Sequence, residues 1–294
     1  MYTCWNARAV GLAMSAEQAV EIAAEAGFDG VDLLVRDVVE SGVDVGALKL
    51  RMDDLGLRGG GWTLPMNWKA GQEEFEADLE RLPLYAETAA RLGLHRTGTW
   101  VRFETEPLAA DRLASVQLRR TEVERAIEWQ MERLGRIAGV LADHGSRLGL
   151  EIIGSRSERT GRGVALTSTY RDLLGRFAGL RAEHANVGVL ADAYHLYASG
   201  EPATAALAWG VDAVTWVHLA DPGNPDRETM RDVERLLPGE SDAGLCRSLL
   251  SAVAEGGYDG PVTAEPLDRS KSFPSTDPRE RARMTRAALR QVWP

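Results

Sequence analysis

The tripeptide Leu-Gly-Leu occurs at 55–57, 92–94 and 148–150, each time behind an amphipathic helical stretch and ahead of a short apolar run. A matched pair, AEAGFDG (24–30) and AEGGYDG (254–260), repeats the joint. Glycine just past a helix supplies the left-handed C′ conformation that lets the chain turn back. A recurring helix, glycine and short strand predicts βα units, whose strands lie parallel beneath helical crossovers.

Eight such units can be counted. Strands are predicted near 2–9, 30–35, 57–63, 95–101, 148–153, 187–191, 213–219 and 262–265. Helices are predicted from Ser15, whose hydroxyl and Gln18 form a capping box, and near 45–55, 115–144, 168–177, 202–209, 243–256 and 277–292. A further helix precedes Leu92, and Pro83 is expected to break or kink it. Eight units in 294 residues match a (β/α)8 TIM barrel in count and size. A doubly wound open sheet would usually carry a glycine fingerprint after its first strand, and ARAVGLAMS has none. No Gly/Ser/Pro linker divides the chain, so residues 1–294 are expected to form one barrel domain.

Charges inside apolar runs point to a site. LGLEIIG (148–154) carries Glu151, GVLADAYHLY (188–197) carries Asp192, VTWVHLAD (214–221) carries His218 and GPVTAEPL (260–267) carries Glu265. An isolated ionised group is costly to bury. A lone strand glutamate is more often paired with an arginine, and a lone strand histidine is usually a hydrogen-bonded core residue. Here one ligand-type side chain falls at or near the end of each of four consecutive strands, where barrel enzymes place their catalytic groups. We read them as converging on one divalent cation. Three carboxylates and one imidazole form a mainly hard-oxygen set, which favours Mn²⁺ and is compatible with Mg²⁺, Co²⁺ or Zn²⁺.

Composition narrows the alternatives. The net charge of −10 and the lack of a basic stripe argue against nucleic acid as a partner. No run approaches the roughly 18 apolar residues of a membrane span, and no signal pattern opens the chain. Two distant cysteines, Cys4 and Cys246, suit a reducing cytoplasm and remove thiolate zinc sites from consideration. Of the 34 basic residues only Lys49, Lys69 and Lys271 are lysines, and none lies in a predicted strand. A Schiff-base lysine on a barrel strand is therefore not expected. The stripe of Val123, Ile127, Met131, Leu134, Ile137 and Val140 is explained by packing on the barrel, which leaves a homo-oligomer open.

Glu151, the D-x-x-H of Asp192 and His195, His218 followed by Asp221, and YDGPVTAEP ending in Glu265 resemble the xylose isomerase-like superfamily of sugar isomerases and epimerases. The run 217–242 resembles its sugar-phosphate isomerase/epimerase-type members. This resemblance implies that Glu151, Asp192, His218 and Glu265 bind the metal and that Glu151 and Glu265 also move a proton. A metal-chelated carbonyl and its neighbouring hydroxyl acidify the adjacent C–H, so one carboxylate can remove the proton and the other return it. Return to a new carbon isomerises the sugar, and return to the other face epimerises it. The implied partner is a small carbohydrate or polyol. His195, Arg227 and Glu158 are candidates to contact it, and Trp62 and Trp100 to wall it.

Three rivals stand beside this reading. A lyase or dehydratase on the same scaffold, inosose dehydratase-like or C-glycoside-cleaving, shares the proton abstraction but expels a leaving group. Apurinic endonucleases of the superfamily need further histidine ligands, and His95, His144 and His184 lie at the wrong places. A non-catalytic sugar-binding barrel is disfavoured because both acid–base carboxylates are present.

Overall fold

A computed structural model describes residues 1–294. Eight parallel strands close into a barrel: β1 (Tyr2–Trp5), β2 (Gly30–Leu33), β3 (Arg58–Thr63), β4 (Arg96–Trp100), β5 (Arg147–Glu151), β6 (Val187–Asp192), β7 (Val214–Leu219) and β8 (Pro261–Ala264). Each pairs with its sequence neighbours, and β1 closes on β8. The turns obey the glycine rule at Gly27, Gly56, Gly93 and Gly257, all in the left-handed region. At the third Leu-Gly-Leu the expectation needs correcting. Gly145 makes that turn, and Gly149 lies inside β5.

Several helices also differ from expectation. α1 (Ala16–Glu25) starts at the Ser15 capping box as predicted. The β2–β3 connection carries two helices, α2 (Val35–Ser41) and α3 (Val45–Asp54). Pro83 does not interrupt α4 (Gln72–Arg91). A short α5 (Ala110–Ala114) precedes α6 (Val116–Asp143), and α7 (Tyr170–Arg176) is followed by α8 (Ala178–Glu183). The stretch expected as a helix at 202–209 carries a 3-10 helix, Ala203–Leu207, and an unexpected α-helix precedes it directly after β6. This is α9 (Ala193–Ser199), which starts there because the Asp192 side chain accepts from the Tyr194 and His195 amides and caps it directly at the strand end. α10 (Leu245–Glu255) and α11 (Pro278–Val292) complete the outer layer.

Small residues on some strands make room for large ones from others. A side chain at Gly61 would run into the Trp216 ring, and one at Gly98 into Leu190. Gly60 leaves space for the Asp32 carboxylate. Asp32, at the end of β2, accepts from Gly61 N at 2.6 Å and from Thr263 Oγ1 at 2.6 Å, tying β2 to β3 and β8 inside the barrel.

Burial raises the Asp32 carboxyl from 3.8 to about 6 although those hydrogen bonds pull the other way. A carboxyl raised by folding contributes stability below its unfolded value and loses it as pH climbs through the folded one. A displacement of this size corresponds to roughly 3 kcal/mol. In urea unfolding, the stability of the wild type relative to Asp32→Asn is therefore expected to fall between about pH 4 and pH 6. A difference that stays constant across that window would show that Asp32 is already ionised in the folded chain.

Candidate metal centre and substrate cavity

Strand register sets the four ligand-type side chains at one level of the barrel mouth. Asp192 pairs with His218, and His218 with Thr263, two residues before Glu265. Glu265 N donates to Leu219 O at 2.8 Å, which carries the β7–β8 ladder up to that residue. Glu151 ends β5. One ligand atom from each of Glu151, Asp192, His218 and Glu265 lies within 4.8 Å of all the others.

The donor atoms show that a cation suits this cluster. Glu151 Oε1 and both His218 ring nitrogens are buried without a hydrogen-bond partner of good geometry. His218 Nδ1 lies 3.3 Å from Glu265 Oε2 and 4.0 Å from Glu151 Oε1. Three oxygens and one imidazole nitrogen, several of them orphaned and converging, are the groups a divalent ion takes. The charges are strongly coupled. Burial, with Asp192 and Glu265 adding to it, pushes Glu151 well above the usual carboxylate range. Burial also works on Asp192 and Glu265, but it is outweighed by Arg235 at Asp192, which falls to about 2, and by His218 at Glu265, which is lowered.

Arg235 is not among the site residues expected from the sequence. This arginine is 3% exposed, and its Nη1 donates to Asp192 Oδ2 and to Glu265 Oε2, each at 2.9 Å. Its Nη2 donates to Asp232 Oδ1 at 2.7 Å and lies 3.1 Å from His195 Nε2. A short antiparallel pairing of Asp221–Pro222 with Arg235–Leu236 brings it back to the rim. Asp221 secures the following turn by accepting from Gly239 N and Ser241 N at 3.1 and 2.9 Å. Three arginines lie in this segment, and only Arg235 leads into an apolar pair, Leu236–Leu237, before Pro238. That local pattern is the available signal for a buried one.

The cluster floors a cavity of about 1130 Å³, lined there by Glu151, Leu190, Trp216, His218 and Glu265. Lys69, Trp100, Arg102 and Phe103 form part of its wall. Asp192 is fully buried, whereas the side chains of Glu151 and Glu265 are 11% and 22% exposed.

Four of the candidate substrate contacts do not lie along this cavity. Arg227 is exposed, with its guanidinium 4.6 Å from the Tyr197 ring centroid. Glu158 is exposed in a 3-10 turn and accepts from Asp232 N at 3.3 Å. Trp62 is fully buried in the hydrophobic core, because its neighbour Gly61 takes the inward-facing position on β3. His195 is buried, with Nδ1 accepting from Gly154 N at 3.2 Å and Arg235 against its other nitrogen. Trp100 does line the cavity and is 41% exposed.

A family model described as "Xylose isomerase-like TIM barrel" matches residues 20–292. None of the curated proteins compared with the chain matches it. Among solved structures, a xylose isomerase domain protein from Alicyclobacillus acidocaldarius is 26% identical with a TM-score of 0.81, the match covering 99% of this chain and 97% of that one. The IolI protein with a bound zinc atom is 16% identical (TM-score 0.77, coverage 99% and 98%). D-Psicose 3-epimerase from Clostridium cellulolyticum H10, solved with D-tagatose, is 16% identical (TM-score 0.71, coverage 99% and 98%).

Calorimetric titration with Mn²⁺ is expected to give one ion per chain. Asp192→Asn should weaken that binding by at least about tenfold, since it removes the charge of a ligand and even loss of a group that only supports a ligand costs roughly 10- to 100-fold. Binding at unchanged affinity in the variant would place the ion elsewhere.

Proposed function

The chain belongs to the xylose isomerase-like TIM barrel family, and on that premise we propose that it is a divalent-metal-dependent sugar isomerase or epimerase. The observation that carries this reading is the division of labour within the cluster. Two glutamates, from strands on either flank of Asp192 and His218, open onto the cavity, while Asp192 is sealed beneath it. Glu151, Asp192, His218 and Glu265 hold the ion, with Mn²⁺ favoured by the oxygen-rich set. When bound, a divalent ion supplies the positive charge that acidifies a C–H beside a carbonyl.

The chain's own groups do the rest. One of Glu151 and Glu265 removes the proton from the carbon next to the substrate carbonyl, and the other returns one to the resulting enediolate. Both are within reach of a molecule on the cavity floor, so the stereochemical outcome depends on how the sugar lies between them. Arg235 offsets part of the negative charge of Asp192 and Glu265 and hydrogen-bonds both carboxylates. Trp100, 41% exposed on the wall with Lys69 against one ring face, offers its remaining apolar surface to the C–H side of a sugar ring. Cys4 and Cys246 are both free and buried, in keeping with a cytoplasmic enzyme.

Incubation of ketoses and aldoses in D₂O with Mn²⁺, followed by NMR, is expected to wash deuterium into an otherwise intact sugar. Glu265→Gln should abolish that exchange, a loss of at least about a hundredfold, while part of the metal binding survives. A dehydrated or cleaved product would instead establish the lyase chemistry of inosose dehydratase-like or C-glycoside-cleaving enzymes. No turnover of any sugar under any metal condition would leave a binding protein.

A further inference from the structure

Lys69 stands on the wall of the same cavity with its ammonium unpartnered. Its Nζ lies 3.5 Å from the Trp100 ring centroid and 4.4 Å from that of Trp68. No carboxylate lies within ion-pair distance, whereas the other cavity-wall cation named above, Arg102, is paired with Glu106. Aromatic faces attract a cation, but they replace only part of the hydration it gives up. Burial accordingly drives the ammonium down to about 7, with Arg102 adding to the effect and Glu151 opposing it.

The loop is fixed in place around this group. Arg102 Nη2 donates to the Lys69 carbonyl at 3.0 Å. Arg133, a buried arginine of α6, donates to the carbonyls of Trp68 and Ala70 at 2.8 and 2.6 Å. Trp68 Nε1 donates to Thr99 Oγ1 at 2.9 Å. An ammonium held in a pinned loop, against two aromatic rings and facing a cavity, is preorganised for an anion it does not find within the chain.

The geometry points to Lys69 as the residue that selects a substrate bearing a carboxylate, placed away from the carbons held between Glu151 and Glu265. This inference rests on the reading of the cavity as a sugar site and names the class of sugar, a sugar acid. A single negative charge fits better than a phosphate dianion. Glu74, Asp78, Glu104 and Glu106 also line this wall, Glu73 and Glu74 sit in the first turn of α4, the adjoining Arg102 is already paired with Glu106, and the cavity's other cations, Arg8 and Arg36, stand on the connections after β1 and β2.

A matched trio of probes tests it: D-galacturonate, D-galactose and D-galactose 6-phosphate, which differ only at C6. Each is titrated calorimetrically into the Mn²⁺-loaded protein. Galacturonate is expected to bind at least tenfold more tightly than galactose, and in Lys69→Met that ratio should fall to near one, with Lys69→Arg keeping most of it. Only three lysines are present, so the Lys69 Cε signal can also be followed by NMR in the unmutated protein. Galacturonate, and not galactose, should move it.

A galacturonate preference that persists in Lys69→Met, or a uniform loss of affinity for all three probes, overturns the assignment. Failure of galacturonate to bind at millimolar concentration does so too. A preference for the 6-phosphate that Lys69→Met abolishes replaces carboxylate with phosphate. None of these outcomes bears on deuterium exchange at the cavity floor, so the two readings fail separately.

Discussion

Carboxylates brought within a few ångströms of one another inside a protein repel strongly. At about 4 Å, with an effective dielectric constant near 20, each like-charged pair costs about 4 kcal/mol. Glu151, Asp192 and Glu265 meet this condition around His218, and much of the surrounding structure is arranged to tolerate it. Arg235 places one guanidinium nitrogen between Asp192 and Glu265. Attraction to Glu265 raises His218 above its ordinary value despite burial, favouring the charged imidazole. Glu151, the carboxylate farthest from these cations in effect, is the one pushed toward its protonated form. The shortfall of positive charge is thus concentrated on the Glu151–His218 side, where the unpartnered donor atoms also lie.

The two halves of the barrel mouth have different tasks. β5 to β8 supply the charged floor, and their short strands fix it by ladder register. The connections after β1 to β4 supply the wall, and those after β3 and β4 are fixed by side chains reaching across from α6. Gln130 accepts from Arg102 N at 2.7 Å, and Arg133 holds the Trp68–Ala70 segment. Both are fully or nearly fully buried polar residues on a helix face otherwise packed on the core. Their presence there is explained by the loops they hold.

The barrel and its acidic floor were legible in the sequence because both rest on local signals. Glycine after a helix forces a turn wherever it stands, and a charge within an apolar strand is anomalous on its face. What could not be read depends on parity or on tertiary reach. The triple glycine of β3 carries no inward–outward pattern, so the direction of Trp62 was undetermined; Gly61 takes the inside and Trp62 the core. The stripe read on α6 omitted Gln130 and Arg133, whose polarity hid their burial. Arg235 and Lys69 lie in connections whose course is set by contacts with distant residues, and arginine-rich composition made one arginine look like another. Arg227 was the arginine expected at the substrate; the Leu236–Leu237 pair after Arg235 is the one local difference between them, and the antiparallel return at Arg235–Leu236 is what carries Arg235 to the rim.

Asp192 joins floor and rim into one closed circuit. Its Oδ1 accepts the first amides of α9, fixing where that helix begins, while its Oδ2 receives Arg235. The start of α9 in turn sets His195 and Tyr194, which flank the Arg235 guanidinium at 3.1 Å and 4.5 Å. Arg235 then reaches Glu265, the group proposed to move the proton. A shift at any one of these positions is therefore passed to the others through hydrogen bonds of ordinary length, and the D-x-x-H spacing of Asp192 and His195 acquires a structural meaning. The histidine is where it is because the aspartate caps its helix, and its present contact is with the arginine that orients the floor.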